Sequence, residues 1–170
     1  MLFRSSDREE SSFTVPNTVT RFSHGAFAGT MNLTNLTFGN GSETIQHNVL
    51  DGCLSVVNVV IPSGVTSIGP GAFMDCTALE TVSLPNTITN IGENYEDGVF
   101  EGCVSLRQVN IPEGVSYINS STFRDCRSLE EIKIPSTVQK IDVAAFYGCS
   151  SLRSFTFPEG YTGTKLPGDI

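Results

Sequence analysis

The chain has 170 residues, 39% hydrophobic and 16% charged, with a formal charge of -8 and no tryptophan. That length supports one domain with a substantial core. The acidic balance repels phosphate backbones and anionic lipid, so nucleic acid is not an expected partner, and no apolar run nears the ~20 residues that span a bilayer, so no membrane insertion is expected.

Residues 1–12 read as an N-terminal tail. Arg4, Asp7, Arg8, Glu9 and Glu10 interrupt its apolar residues, so it lacks the uninterrupted core of a secretory signal. On that ground alone a cytoplasmic location is one reading.

From Phe13 onward one unit recurs. Prolines that follow an apolar residue stand at Pro16, Pro62, Pro85, Pro112, Pro135 and Pro158, with gaps of 46, 23, 27, 23 and 23. Cys53, Cys76, Cys103, Cys126 and Cys149 keep the same ruler, as do Phe27, Leu50, Phe73, Phe100, Phe123 and Phe146. Three residue types sharing one period mark a repeat architecture. The unit reads L-x-x-[VI]-x-[LI]-P-x-x-V-x-x-I-x-x-x-A-F-x-x-C, most clearly in Leu129, Ile132, Ile134, Pro135, Val138, Ile141, Ala145, Phe146 and Cys149.

The first copy begins near Phe13 and is degenerate; the second, from Leu33, departs from the pattern at Gly39 and Leu50. Others begin at Val56, Leu79, Leu106 and Leu129, and a last, shortened one at Leu152. The spacing predicts an α/β solenoid of about six coils over 13–160, followed by a C-terminal tail, 161–170. In each coil the alternating stretch predicts a half-buried strand, stacked on its neighbours in a parallel sheet about 4.8 Å apart. Proline then ends the strand. Pro-Ser-Gly at 62–64 and Pro-Glu-Gly at 112–114 suit a type I turn with proline second and glycine fourth.

Ser23, Gln46, Gly69, Gly92, Asn119 and Asp142 come next. All but Gln46 are favoured helix caps. Gly29, Gly52, Asp75, Gly102, Asp125 and Gly148 suit a left-handed stop. The short interval between predicts one turn of α or 3₁₀ helix on the convex side. Four extra residues lie within Glu93–Gly98, where Glu93, Glu96 and Asp97 concentrate acid and Tyr95 is a candidate contact. The loop matches no calcium-binding pattern, so a solvated insertion is the better reading.

The unit resembles the BspA-like leucine-rich repeat over about residues 13–158. The resemblance implies a curved solenoid with strands on its concave face. It also implies a surface location, and adhesion to matrix proteins or to other cells.

The cysteines lie one coil apart, unlike zinc ligands paired as C-x₂-C. They read as a buried ladder of free thiols in preference to disulfides. His24 and His47, one repeat apart, should stack as a surface pair. No metal site, no cofactor and no catalytic triad is expected, and the chain does not read as an enzyme. Sequons occur at Asn32, Asn35, Asn40 and Asn119; only Asn40 is well placed for a glycan.

The outward strand positions supply the candidate binding surface. One row holds Asn35, Asn58, Thr81, Gln108, Glu131 and Ser154, and the next holds Thr37, Val60, Ser83, Asn110, Lys133 and Thr156. Glu80, Arg107, Glu130 and Arg153 flank them. The selected partner-binding residues are Asn58, Thr81, Ser83, Gln108, Asn110, Glu131, Lys133, Ser154 and Thr156. Amides and hydroxyls suit a desolvated contact with protein or glycan. The alternative is a structural spacer, or a segment that self-associates into a homo-oligomer through its end coils.

Overall fold

A computed structural model of the chain describes residues 11–92, 97–157 and 159–161. The predicted contact at Tyr95, most of the insertion, Pro158, and the tails over 1–10 and 162–170 lie outside the described residues. The rest winds as a solenoid of six coils and a terminal strand. Each coil opens on a strand of the concave sheet: β1 (Ser11–Thr14), β2 (Leu33–Thr37), β4 (Asn58–Val60), β6 (Thr81–Ser83), β8 (Gln108–Val109) and β10 (Glu131–Lys133), with β12 (Ser154–Thr156) starting a seventh. A second, lateral strand follows in coils 2 to 6: β3 (Thr44–Ile45), β5 (Ser67–Ile68), β7 (Asn90–Ile91), β9 (Tyr117–Ile118) and β11 (Lys140–Ile141). All pairing is parallel and keeps the repeat register, as in Asn35↔Asn58↔Thr81↔Gln108, except for a shift between Ser11 and Ser12 where β1 meets β2.

The core is one column. Phe73, Phe100, Phe123 and Phe146 are buried, and their rings stack at 5.2, 5.5 and 5.3 Å within 8° of parallel. Offset stacking at such distances adds roughly 0.5–1.5 kcal/mol per pair beyond the area removed from water. The leucine, valine and isoleucine positions of the unit are buried beside them. At the C-terminal end Phe155 meets Phe146 edge-on, and Phe157 and Tyr161 extend the cluster.

The convex segments are not the short helices the sequence suggests. Among the described residues they are hydrogen-bonded turns. In coil 5, Thr122, Arg124 and Cys126 N–H donate three residues back, to Asn119, Ser121 and Phe123 carbonyls. The intervening amides of Phe123 and Asp125 donate instead to the next coil, at Ala145 and Tyr147. The cause is left-handed backbone: one residue in every coil, and a second between cap position and stop in coils 1, 2, 3, 5 and 6 among the described residues. The six expected stops are all left-handed, with φ from 55° at Asp75 to 77° at Gly148. So are Gly25, Asn48, Gly71, Ser121 and Ala144, which the sequence reading did not single out. A helix cannot propagate through them. Asn119 and its equivalents therefore begin turns and cap no helix.

The turn after each strand also shifts by one residue. Val65 N–H closes onto the Pro62 carbonyl and Val115 onto Pro112, so proline is the first turn residue, not the second. The irregular second coil has a steric reason. A Cβ on Gly41 would lie 2.1 Å from the Asn17 carbonyl oxygen, so only glycine lets coils 1 and 2 meet there.

Three seams of backbone hydrogen bonds join neighbouring coils: concave, lateral and convex. Two are interrupted, both at coil 5. The lateral ladder stops between β7 and β9, and the concave ladder between β8 and β10. At the lateral break, beside the insertion, the buried Asn119 amide donates to the Ile91 and Gly92 carbonyls at 2.9 and 2.6 Å. Near the concave break, Asn110 uses its side chain where other coils use backbone. Its Oδ1 accepts from Leu84 N–H (3.3 Å), and its Nδ2 donates to Leu84 C=O (3.1 Å).

Candidate functional site

The strand face is set by the pleat: in β4, β6 and β10 a buried middle residue lies between two exposed ones. All nine selected residues are exposed on it. They are not equally available. Asn58 Nδ2 donates to Asn35 Oδ1 at 2.9 Å, and Asn35 Nδ2 to Ser12 Oγ at 3.2 Å. This amide ladder satisfies the N-terminal end of the row. Asn110 is tied to Leu84 as described.

Over coils 5 to 7 the face is more open. Two shallow cavities of about 540 and 410 Å³ lie side by side and share Gln108, Glu131 and Ser154. The first adds Thr81 and the flanking charges Arg107, Glu130 and Arg153; the second adds Asn110, Lys133 and Thr156. Ser83 and Asn58 border neither. The flanking charges are the residues the selection left out. Their alternating sign at one-coil spacing was the available signal. A third, polar groove of about 610 Å³ separates Arg21 and His24 of coil 1 from Glu43 and Gln46 of coil 2.

The five cysteines are free and buried, as expected. Each Sγ–H donates to the carbonyl of the residue at the phenylalanine position one coil back: Phe27, Leu50, Phe73, Phe100 and Phe123, at 2.9 to 3.2 Å. Burial raises all five thiols above their usual range, Cys149 to about 12. Such thiols are poor nucleophiles and poor metal ligands. His24 and His47 stack at 4.7 Å. No group of three or more metal-ligating side chains occurs among the described residues.

A lateral cluster was not foreseen. Tyr117 OH donates to Asp142 Oδ2 (2.8 Å), and Lys140 Nζ donates to Tyr117 Oη (2.7 Å). The Val143 N–H and the Tyr117 hydroxyl hold the Asp142 carboxyl below its ordinary range. The cluster clamps β9 to β11, the pair cut off from the longer lateral ladder. Of the sequons, Asn119 is buried and bonded, and Asn35 is held in the amide ladder. Asn40 is exposed, and its backbone N–H donates to Asn17 Oδ1 at 2.9 Å.

A parallel solenoid with a 23-residue coil and a buried phenylalanine column defines a leucine-rich repeat protein. The family model for the BspA type leucine rich repeat region matches residues 2–96 and 94–165 in six copies, and the chain belongs to that family. No curated protein matches it. Among solved structures, it is similar to the T. pallidum leucine rich repeat protein TpLRR, with 25% identity, a TM-score of 0.81 and coverage of 94% of this chain and 73% of that one. A leucine-rich repeat protein from Bacteroides ovatus is 26% identical with a TM-score of 0.77. The match covers 85% of this chain and only 37% of the Bacteroides protein. The pneumococcal vaccine antigen PcpA, 17% identical at a TM-score of 0.63, shares the fold over 92% of this chain and 43% of its own.

Proposed function

We propose that the chain is a non-catalytic recognition module that holds a protein partner on its concave face, centred on coils 5 to 7. The observation that carries this is the adjacent pair of cavities sharing Gln108, Glu131 and Ser154. The two selected rows hold no aromatic side chain on which a sugar ring would stack, while guanidinium and carboxylate groups stand beside them. That favours protein over glycan. Family membership supports a surface location and a role in adhesion, with Asn40 as the position open to a glycan.

The test replaces Gln108, Asn110, Glu131 and Lys133 together by alanine. Capture of partners from matrix or cell-surface extracts on the immobilised chain should be lost, with the melting transition kept. Unchanged capture would remove the concave face from the proposal.

A second reading is self-association through the end coils. It draws on β12, which among the described residues pairs only with β10, and on Phe157, 38% exposed beside Phe155 and Tyr161. Sedimentation at several concentrations decides it, since a strict monomer argues against it.

A further inference from the structure

We propose that the segment recognised on this face is an α-helix lying along the solenoid axis, with alternating basic and acidic side chains turned toward Glu80, Arg107, Glu130 and Arg153. The inference rests on the concave-face reading above and specifies the partner.

Backbone bonds align these four residues in one column. Arg107 N–H donates to the Glu80 carbonyl (2.9 Å), Glu130 to Arg107 (3.4 Å) and Arg153 to Glu130 (2.9 Å). All four are exposed, and their signs run minus, plus, minus, plus along the axis. Three other cations are paired: Arg124 with Glu101 at 3.7 Å, Arg127 with Asp125 at 3.4 Å and Lys140 with Asp142 at 3.8 Å. Among the described residues no such ion pair joins members of this column. Arg107, Glu130 and Arg153 instead line the cavity of about 540 Å³ on the strand face.

Spacing selects the partner. Three rungs of a parallel sheet span about 14 Å. On a helix, four positions at i, i+4, i+7 and i+11 lie along one face and span about 16 Å, a mismatch that flexible Lys and Glu side chains absorb. Four same-face positions on an extended strand span about 20 Å and fall out of step.

The net charge of the face carries no preference. Glu80, Glu130 and Glu131 balance Arg107, Lys133 and Arg153. Recognition therefore lies in the order of the charges, where like-charge juxtaposition penalises the wrong register. A second copy of the chain also has a formal charge of -8 and is repelled.

The probe is an alanine-based helical peptide of about 20 residues, carrying Lys, Glu, Lys and Glu at i, i+4, i+7 and i+11. Its isomer carries Lys, Lys, Glu and Glu at the same positions. Binding of both to the full chain is measured by calorimetry or fluorescence anisotropy at low salt. The alternating peptide should bind at least about tenfold more tightly than its isomer, with the difference shrinking as salt rises.

The double variant Arg107→Glu/Glu130→Arg keeps the net charge and turns the column into minus, minus, plus, plus. Its preference should reverse toward the isomer, with the circular dichroism spectrum unchanged. Equal affinity of the two peptides for the parent chain, or a preference the swap leaves in place, overturns the proposal. If the fourfold alanine variant loses partner capture while the peptides are not distinguished, the concave-face function stands and the helix falls. Self-association of the parent that the single change Arg107→Glu abolishes would place a second copy on this face and equally exclude the helix.

Discussion

Coils 2 to 4 and coil 5 are written in the same unit but joined to their neighbours differently. Between coils 2 and 3, and between coils 3 and 4, concave pairing, lateral pairing and convex bonds are all present. Coil 5 lacks the lateral ladder toward coil 4 and the concave ladder toward coil 6. The phenylalanine stack passes through it without change, from Phe100 to Phe123 to Phe146. The side-chain column thus sets the pitch of the solenoid, and the backbone seams can be edited locally around it. The edited place lies under the two cavities of the strand face.

The thiol ladder crosses both regions and gives the largest expected effect. Each thiol is held protonated in the fold by burial, while in the unfolded chain it ionises near pH 8.5. The folded state binds the proton more tightly, so unfolding releases protons and rising pH favours it. The stabilisation is complete below about pH 8.5 and is lost above it, at up to about 1.4 kcal/mol per pH unit per thiol. For Cys149 the loss continues to about pH 12. Urea midpoints should fall steeply above pH 9, and Cys103→Ala should fall less steeply than the parent. Identical slopes would mean that this thiol already reaches water.

Next in size are cuts in the aromatic column. Phe73→Ala and Phe123→Ala should each cost about 3–5 kcal/mol, with Phe123 at the lower end because coil 5, with fewer seams, can settle into the cavity. Chemical denaturation of the two variants side by side tests the comparison. A larger loss at Phe123 would show that coil 5 is no looser than its neighbours.

Asn119→Ala should cost about 2 kcal/mol, since two buried carbonyls, Ile91 and Gly92, lose their donor at the junction where the lateral ladder is already absent. A variant within error of the parent in its melting transition would show that water replaces the amide.

How far these differences were legible in the sequence follows from their physics. The column was legible because a period of 23 repeats the same apolar residues, and burial demands apolar residues. The face rows were legible because the pleat alternates sides. The left-handed stops at Asp75, Asp125 and the glycines were legible because few residue types tolerate that backbone. Ser121 and Ala144 carry no such mark, so the second left-handed position was missed and a helix was expected in its place. The flanking charges were visible as a row, but only their place in the larger of the two strand-face cavities made them part of the site. Nor did Asn110 differ on paper from any polar strand residue. Its bidentate hold on Leu84 is a choice between side chain and backbone that no pattern of hydrophobicity encodes.

That choice supplies the finest test. In coil 2 the equivalent amide, Phe38 N–H, donates to the backbone carbonyl of Val60. Asn110→Val removes the competing side chain and supplies a β-branched residue suited to a strand. Leu84 N–H should then take the Asn110 position's own carbonyl, lengthening β8 and closing the seam to β10. Exposure at this position keeps the change in stability within about 0.5 kcal/mol. Amide exchange across Gln108–Ile111 and Glu131–Lys133 should slow. If exchange there stays at the parent rate, Asn110 follows the open seam and does not cause it.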